Sequence, residues 1–325
     1  MAEVIYGIDH GFGRMKTATS NFVAGVKEYD SELPYTDGVL KYDGKWYAIG
    51  GDRLPYTPDK TINDNYYILT LASLAEEMKA RGVHTAQVAL AAGLPLTRFG
   101  NEKEAFKKYL SVKKEIPFEY EGEKYHVKLT SVEIFPQGYA AYCWHMLSQK
   151  KKAAEEVALV VDLGSGTMDI SLMQKNRPQM EHSYSLTIGM HNCYQLINER
   201  LRQKFHGKEV MESVIDAVIL GREVRLSKDY RTCIEDSCRE FAAGIWKKLI
   251  DYGFNLDTIP VYWMGGGATL MREYGNLDAD MNDFICVPEA NALGYETLLK
   301  LKRASARKKE KAEKEGLVDG NSKKN

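Results

Sequence analysis

EVIYGIDHGFGRMK (3–16) and VALVVDLGSGTMDI (157–170) decide how this chain is read. Each begins as an apolar, β-branched run, ends on an aspartate, breaks at glycines and resumes as an extended segment. That pattern is strand, turn, strand. The unit occurs at 4–16 and again at 157–169, so the chain reads as a duplicated fold whose two halves face one shared cleft.

The intervening sequence keeps the same alternation. VLKYDGKWYAIG (39–50) reads as a hairpin turning at Asp43-Gly44. Residues 66–81 carry a helical apolar stripe closed by Gly82, and QVALAAGLP (87–95) reads as a buried strand. A helix is expected from Asn101, with Glu104 completing a capping box. PFEYEGEKYHVKL (117–129) is expected to turn at Glu121-Gly122, SVEIFP (131–136) to form a strand, and 138–150 a helix. After the polar break QKKKAAEE (149–156), helices are expected at 190–205, 209–220 and 229–252, the last stopped by Gly253. PVYWMGGGATL (260–270) reads as strand, glycines, helix; ICVP (285–288) as a short strand; and 289–303 as a final helix. Strands alternating with helices throughout define an α/β class.

The chain has 325 residues, 44% of them hydrophobic and 27% charged, enough for two packed domains. No apolar run reaches the ~18–20 residues of a membrane span, and the N-terminal sequence has no secretory pattern, so a cytoplasmic protein is expected. Five cysteines, none in a CxxC pair, point to reduced thiols. The net charge is −1, but KRASARKKEKAEK (302–314) carries seven Lys/Arg against two Glu, which leaves −6 on the rest. An acidic body is a poor surface for direct duplex DNA binding. The tail, short of large apolar side chains, is expected outside the folded core.

The glycine turns carry the chemistry. Asp9, Gly11, Gly13 and Lys16 set a carboxylate at a strand end, bare backbone in the turn and an ammonium on the returning strand. Glycine lets N–H groups converge on an anion, and lysine adds a point charge for phosphate oxygens. Asp162, Gly164, Ser165, Gly166 and Thr167 offer a second cradle. Two aspartates facing each other across a phosphate tail suit a hydrated Mg²⁺. Gly265, Gly266, Gly267 and Ala268 follow an apolar strand and open a helix, leaving room for a base or ribose against the backbone.

In this order, the motifs DxGxGxxK, DLGxGTxD and GGGA resemble those of the actin, heat-shock chaperone and sugar-kinase superfamily. Within it the chain most resembles the ParM/StbA branch of actin-like ATPases. DHGFGRMK has an aromatic between its glycines, and WYAIGGDR (46–53), AAGLPLTRFGNEKEAFKKYL (91–110), FPQGYAA (135–141) and PEANALGYETL (288–298) are similar to branch segments. The resemblance implies an actin-like fold of two ribonuclease-H-like domains, 1–150 and 151–288. Helix 289–303 would return to the first, and 304–325 would be a basic, disordered tail.

It further implies MgATP in the cleft, with GTP as an alternative. Gly11, Phe12, Gly13, Arg14 and Lys16 would contact the β- and γ-phosphates. Asp9 and Asp162 would hold the metal through water, and residues 164–167 would grip the phosphates from the other side. Asp169 would lie near the γ-phosphate, residues 265–268 would line the nucleoside, and Arg222 and Glu223 would approach ribose and base. Gln137 takes the place of the residue that orients the attacking water. Phe12 departs from actin, where a hydroxyl binds the γ-phosphate; that contact is left to backbone N–H groups. The implied function is a polymer of this chain that segregates plasmid DNA through a small DNA-binding adaptor at a centromere-like site. The alternatives are a small-molecule kinase of the same superfamily, or a filament for phage DNA positioning or cell shape. A kinase would carry a substrate-domain insertion and a chaperone an appended peptide-binding domain; neither is visible in the sequence.

Overall fold

The computed structural model describes residues 2–57, 59–149 and 155–321, with side chains up to Lys309. Strand β1 (Glu3–His10) is buried over its last five residues, as a strand flanked on both sides must be. It pairs antiparallel with β2 (Arg14–Lys16), which pairs with β3 (Asn21–Val23). On its other side it runs parallel to β7 (Thr85–Leu94), itself parallel to β9 (Glu123–Pro136).

The second half repeats this plan. Strand β10 (Val157–Leu163) pairs antiparallel with β11 (Met168–Gln174), and β11 with β12 (Arg177–Leu186). On the other side β10 runs parallel to β13 (Val261–Met264), and β13 to β14 (Asn282–Phe284). The orders β3-β2-β1-β7-β9 and β12-β11-β10-β13-β14 are the same topology twice. The first sheet is widened to nine strands by β8 (Glu115–Tyr120), β5 (Val39–Tyr42), β6 (Lys45–Ile49) and β4 (Val26–Tyr29).

Helix α1 (Asn65–Ala80) and α2 (Leu96–Leu110) belong to the first half, with α1 supplying most of its own residues to that core. Helices α4 (Met190–Lys204), α5 (Glu212–Ile219) and α6 (Lys228–Asp251) cover the second. Between the sheets lie α3 (Tyr139–Ser148) and α8 (Ala290–Asn321), in contact with each other. Tyr142 and Met146 of α3 pack on Val160 and Tyr262 of the second sheet. Tyr295 and Leu299 of α8 pack on Ala89 and Ala91 of the first. The last helix therefore returns to the first half, and the glycine turns of both sheets are brought to one cleft.

Several boundaries differ from the sequence reading. Helix α2 starts at Leu96, not Asn101, because Pro95 precedes it with φ −49° and Gly100 is carried within the helix. The hairpin at 117–129 turns at Glu121-Gly122 as expected, but its second arm and 131–136 form one strand, β9, whose register shifts opposite Val88/Ala89 and skips Thr130. Such a bulge absorbs one residue without ending the strand. The short strand near ICVP lies at Asn282–Phe284, and β3, β4 and β12 lack the apolar alternation that would have shown them. Helix α8 does not stop near Arg303 but continues to Asn321, so the tail is not the disordered segment expected from residue 304. Lys, Glu, Ala and Arg are strong helix formers even where nothing is buried, and residues 304–309 are exposed. Part of the polar break, 150–154, lies outside the described residues.

Candidate functional site

Asp9 ends β1 and stands opposite Lys16 in the β1–β2 register. Lys16 Nζ lies 3.4 Å from Asp9 Oδ2, and the carboxylate is buried. At the equivalent register of the second half, Asp162 stands opposite Asp169. One half thus pairs Asp with Lys, the other Asp with Asp.

Asp162 is buried, and its Oδ2 accepts from Gln137 Nε2 at 3.2 Å and from Asn291 Nδ2 at 3.0 Å. Burial pushes its carboxyl up, with Asp9 adding to the shift; the two amides and Lys16 oppose it. Asp169 is raised to about 6, chiefly by burial, with Asp162 adding to it and Ser185, Thr167 and Lys60 opposing it. Thr167 Oγ1 donates to Asp169 Oδ2 at 3.2 Å, whereas the buried Oδ1 has no partner.

The second turn is closed by Gly164 N–H donating to Thr167 O at 2.8 Å. It is fixed to the start of α4, where Met190 N–H donates to Gly164 O and His191 N–H to Ser165 O. The two turns touch: a Cβ on Gly13 would collide with Ser165 Oγ. Gly265, at φ +80°, has no room for a Cβ beside Asp162 Oδ1 and Leu163 O. Gly267 N–H donates to Leu163 O at 2.9 Å, so residues 265–268, with Ala268 opening α7 (Ala268–Tyr274), lie against the end of β10.

A cavity of about 620 Å³ spans the halves, lined by Phe12, Arg53 and Tyr56 on one side and Ser165, Gly166 and His191 on the other. The Phe12 ring meets Tyr56 at 4.6 Å between centroids. Arg53 Nη2 bridges to Glu212 Oε2 at 2.6 Å, a half-exposed interdomain pair of the kind worth ~0–1 kcal/mol.

The structure brings together Asp9, Lys16, Gly13, Gln137, Asp162, Ser165, Asp169 and Gly265. Arg222 and Glu223 are exposed after α5, and neither has an ion pair among the described residues. Arg14 is turned toward Asn21, donating from Nη2 to its carbonyl at 2.8 Å. Two residues were missed. Asn291 sits inside PEANALGYETL without any local mark of its role. Lys60, a buried lysine on the loop before α1, donates to the carbonyl of His10; nothing in the sequence separates it from an exposed loop lysine.

No group of three or more His, Cys, Asp and Glu side chains could hold a metal among the described residues, and all five cysteines are free. What the cleft offers is two buried carboxylates on opposing turns. That donor set fits Mg²⁺, which keeps waters and takes its remaining ligands from phosphate, and it does not fit an all-protein zinc or calcium cage.

Duplicated sheets in the order found here, with carboxylate-bearing glycine turns meeting in a cleft, define the actin-like class. Two family models match the chain: Actin like proteins N terminal domain over residues 7–139, and Archaeal actin homologue MreB-like, C-terminal, over 160–274. The chain belongs to the actin-like proteins. No curated protein sequence matches it. Among solved structures it is similar to Ta0583, an archaeal actin homologue in complex with ADP (21% identity, 91% of this chain and 99% of that one, TM-score 0.71). It is also similar to a 15-stranded ParM filament from Clostridium botulinum (17%, 93% and 100%, TM-score 0.73), and to Bacillus thuringiensis ParM with AMPPNP (13%, 92% and 98%, TM-score 0.69). At these identities the likeness is one of fold. No helix among the described residues is long and apolar enough to cross a membrane.

Proposed function

We propose that this chain is a filament-forming ATPase of the ParM/StbA type, which polymerises with ATP bound, disassembles after hydrolysis and segregates plasmid DNA through a small DNA-binding adaptor. The observation that carries the nucleotide reading is the meeting of the two turns at Gly13 and Ser165, with Asp9 and Asp162 at their bases. Similarity to ParM in filament form and to relatives with ADP or AMPPNP bound supports self-assembly and nucleotide binding.

In this reading Lys16 and the backbone of 11–14 hold the phosphates from one side and 164–167 from the other, and 265–268 take the nucleoside. Asp9 and Asp162 would hold Mg²⁺, which when bound would supply charge neutralisation at the phosphates. Gln137 is no base. Its Nε2 is committed to Asp162, which leaves Oε1 to accept a proton of the attacking water, so hydrolysis rests on positioning and electrostatics. Head-to-tail contacts between copies do not close and give an open filament. The acidic body agrees with attachment to DNA through an adaptor.

Light scattering and negative-stain microscopy of the pure protein with Mg²⁺ and ATP, GTP or ADP test the proposal. Filaments above a critical concentration with a triphosphate are expected. A chain that stays monomeric with both triphosphates and phosphorylates a small acceptor is a kinase instead.

A further inference from the structure

Lys60 is 4% exposed. A buried ammonium is costly unless charge or hydrogen bonds compensate it, and it has three protons to donate. The structure gives it one acceptor, the carbonyl of His10, and two ring faces: Phe12 at 4.4 Å and Tyr66 at 5.5 Å. No carboxylate forms an ion pair with it among the described residues. Two of these three partners, His10 and Phe12, flank Gly11 in the first glycine turn, so the ammonium is seated against the turn itself.

Asp9 and Asp169, one from each half, and Glu102 favour the ammonium, while burial, above all, and Arg98 oppose it and lower its pKa to about 8. Asp169 stands where the first half has Lys16. The Asp162–Asp169 pair therefore lacks the cation that its counterpart has within the strand pair, and Asp169 Oδ1 is buried without a partner. Lys60 brings that missing charge from the other half of the molecule.

Resting on the nucleotide reading above, we propose that Lys60 is a catalytic residue of this site, a second lysine beside Lys16 that contacts the terminal phosphoryl group of a bound nucleoside triphosphate. Its pre-set position against the turn means that no side chain has to be ordered when the phosphate arrives. A cation there meets the charge on the transferred group and has little to meet in a diphosphate complex. The competing role is structural: a pin that ties the loop before α1 to the His10 carbonyl.

The test compares Lys60→Met, Lys60→Gln and the wild type by calorimetric titration of ADP and AMPPNP with Mg²⁺, alongside thermal unfolding without ligand and phosphate release with ATP. Phosphate contact predicts ADP affinity within ~2-fold of wild type, AMPPNP affinity lowered ~10-fold or more and hydrolysis lowered ~10²-fold or more, the scale for loss of one charge-stabilising donor. Lys60→Gln keeps a donor for the His10 carbonyl but not the charge, and is expected to show the same selective loss. A structural pin predicts lowered unfolding temperature with ADP and AMPPNP weakened equally, and recovery in Lys60→Gln; that result overturns the proposal. So does unchanged AMPPNP binding and hydrolysis in either variant. Should Lys60→Met fail to fold, Lys60→Gln is read by the same criteria. A wild-type chain that binds neither nucleotide overturns the nucleotide reading itself, and the role of Lys60 with it.

Discussion

Asn291 donates from Nδ2 to Asp162 Oδ2 at 3.0 Å and accepts the N–H of Gly138 on its own Oδ1 at 2.9 Å. These partners fix the orientation of the amide. One side chain at the start of α8 thus ties together the end of β10, the start of α3 and the helix that returns to the first sheet. Gln137 adds a second amide on the same carboxylate oxygen, so the carboxylate assigned to the metal is held by residues of both halves.

Asn291→Ala removes both bonds and leaves a buried N–H and a buried carboxylate oxygen short of partners. A loss of ~1–3 kcal/mol is expected, measured by urea unfolding, together with weaker nucleotide binding. Wild-type unfolding and wild-type affinity in this variant would show that the tie is incidental.

Asp162→Ala and Gln137→Ala should separate metal holding from water positioning. Loss of the carboxylate is expected to weaken nucleotide binding and hydrolysis together. Loss of the amide should leave binding near normal and slow hydrolysis ~10²-fold or more, so that filaments form and persist. Normal phosphate release from Gln137→Ala removes that residue from the mechanism.

His10 is buried, with Nε2 2.9 Å from Thr70 Oγ1 and the edge of Phe106 at 5.2 Å between centroids. Burial, helped by the Lys60 charge, lowers its pKa from 6.5 to about 3. Between those values the unfolded chain binds a proton that the folded chain does not, so stability is full above 6.5 and falls as the pH drops toward 3. The slope from this one group approaches ~1.4 kcal/mol per pH unit. His10→Asn should flatten the decline between pH 6.5 and 4.5 relative to wild type, as read by denaturant midpoints. Parallel profiles for the two proteins would assign the decline to other groups.

Residues 304–309 of α8 are exposed, whereas Lys302 and Arg303 pair with Glu133 and Glu3. Deletion of 308–325 is therefore expected to leave the unfolding temperature and nucleotide affinity unchanged, since the last anchoring pairs are kept. If the basic stretch serves in bundling or adaptor attachment, deletion should alter those, and added salt should mimic it through screening over ~10 Å at 0.1 M. A truncation that lowers the unfolding temperature would show that the extension packs on the body.

The sequence by itself determined the duplicated plan and the turns. Strand periodicity, terminal aspartates and glycine spacing are local properties, and a strand that runs into a glycine turn carries its register with it. Asp9 opposite Lys16 and Asp162 opposite Asp169 follow from counting along the hairpins. The boundary of α2 and the bulge at Thr130 were not legible, because a proline and a paired neighbour outweighed the cap and spacing signals there. Only the tertiary structure decided what surrounds the carboxylates. Asn291 reaches Asp162 across 129 residues and Lys60 reaches the His10 carbonyl across 50. Nothing in an isolated asparagine or loop lysine tells that it will be buried against a charge. Burial depends on how α8 and the loop before α1 close over the two turns, and that closure is a property of the packed molecule, not of any local segment.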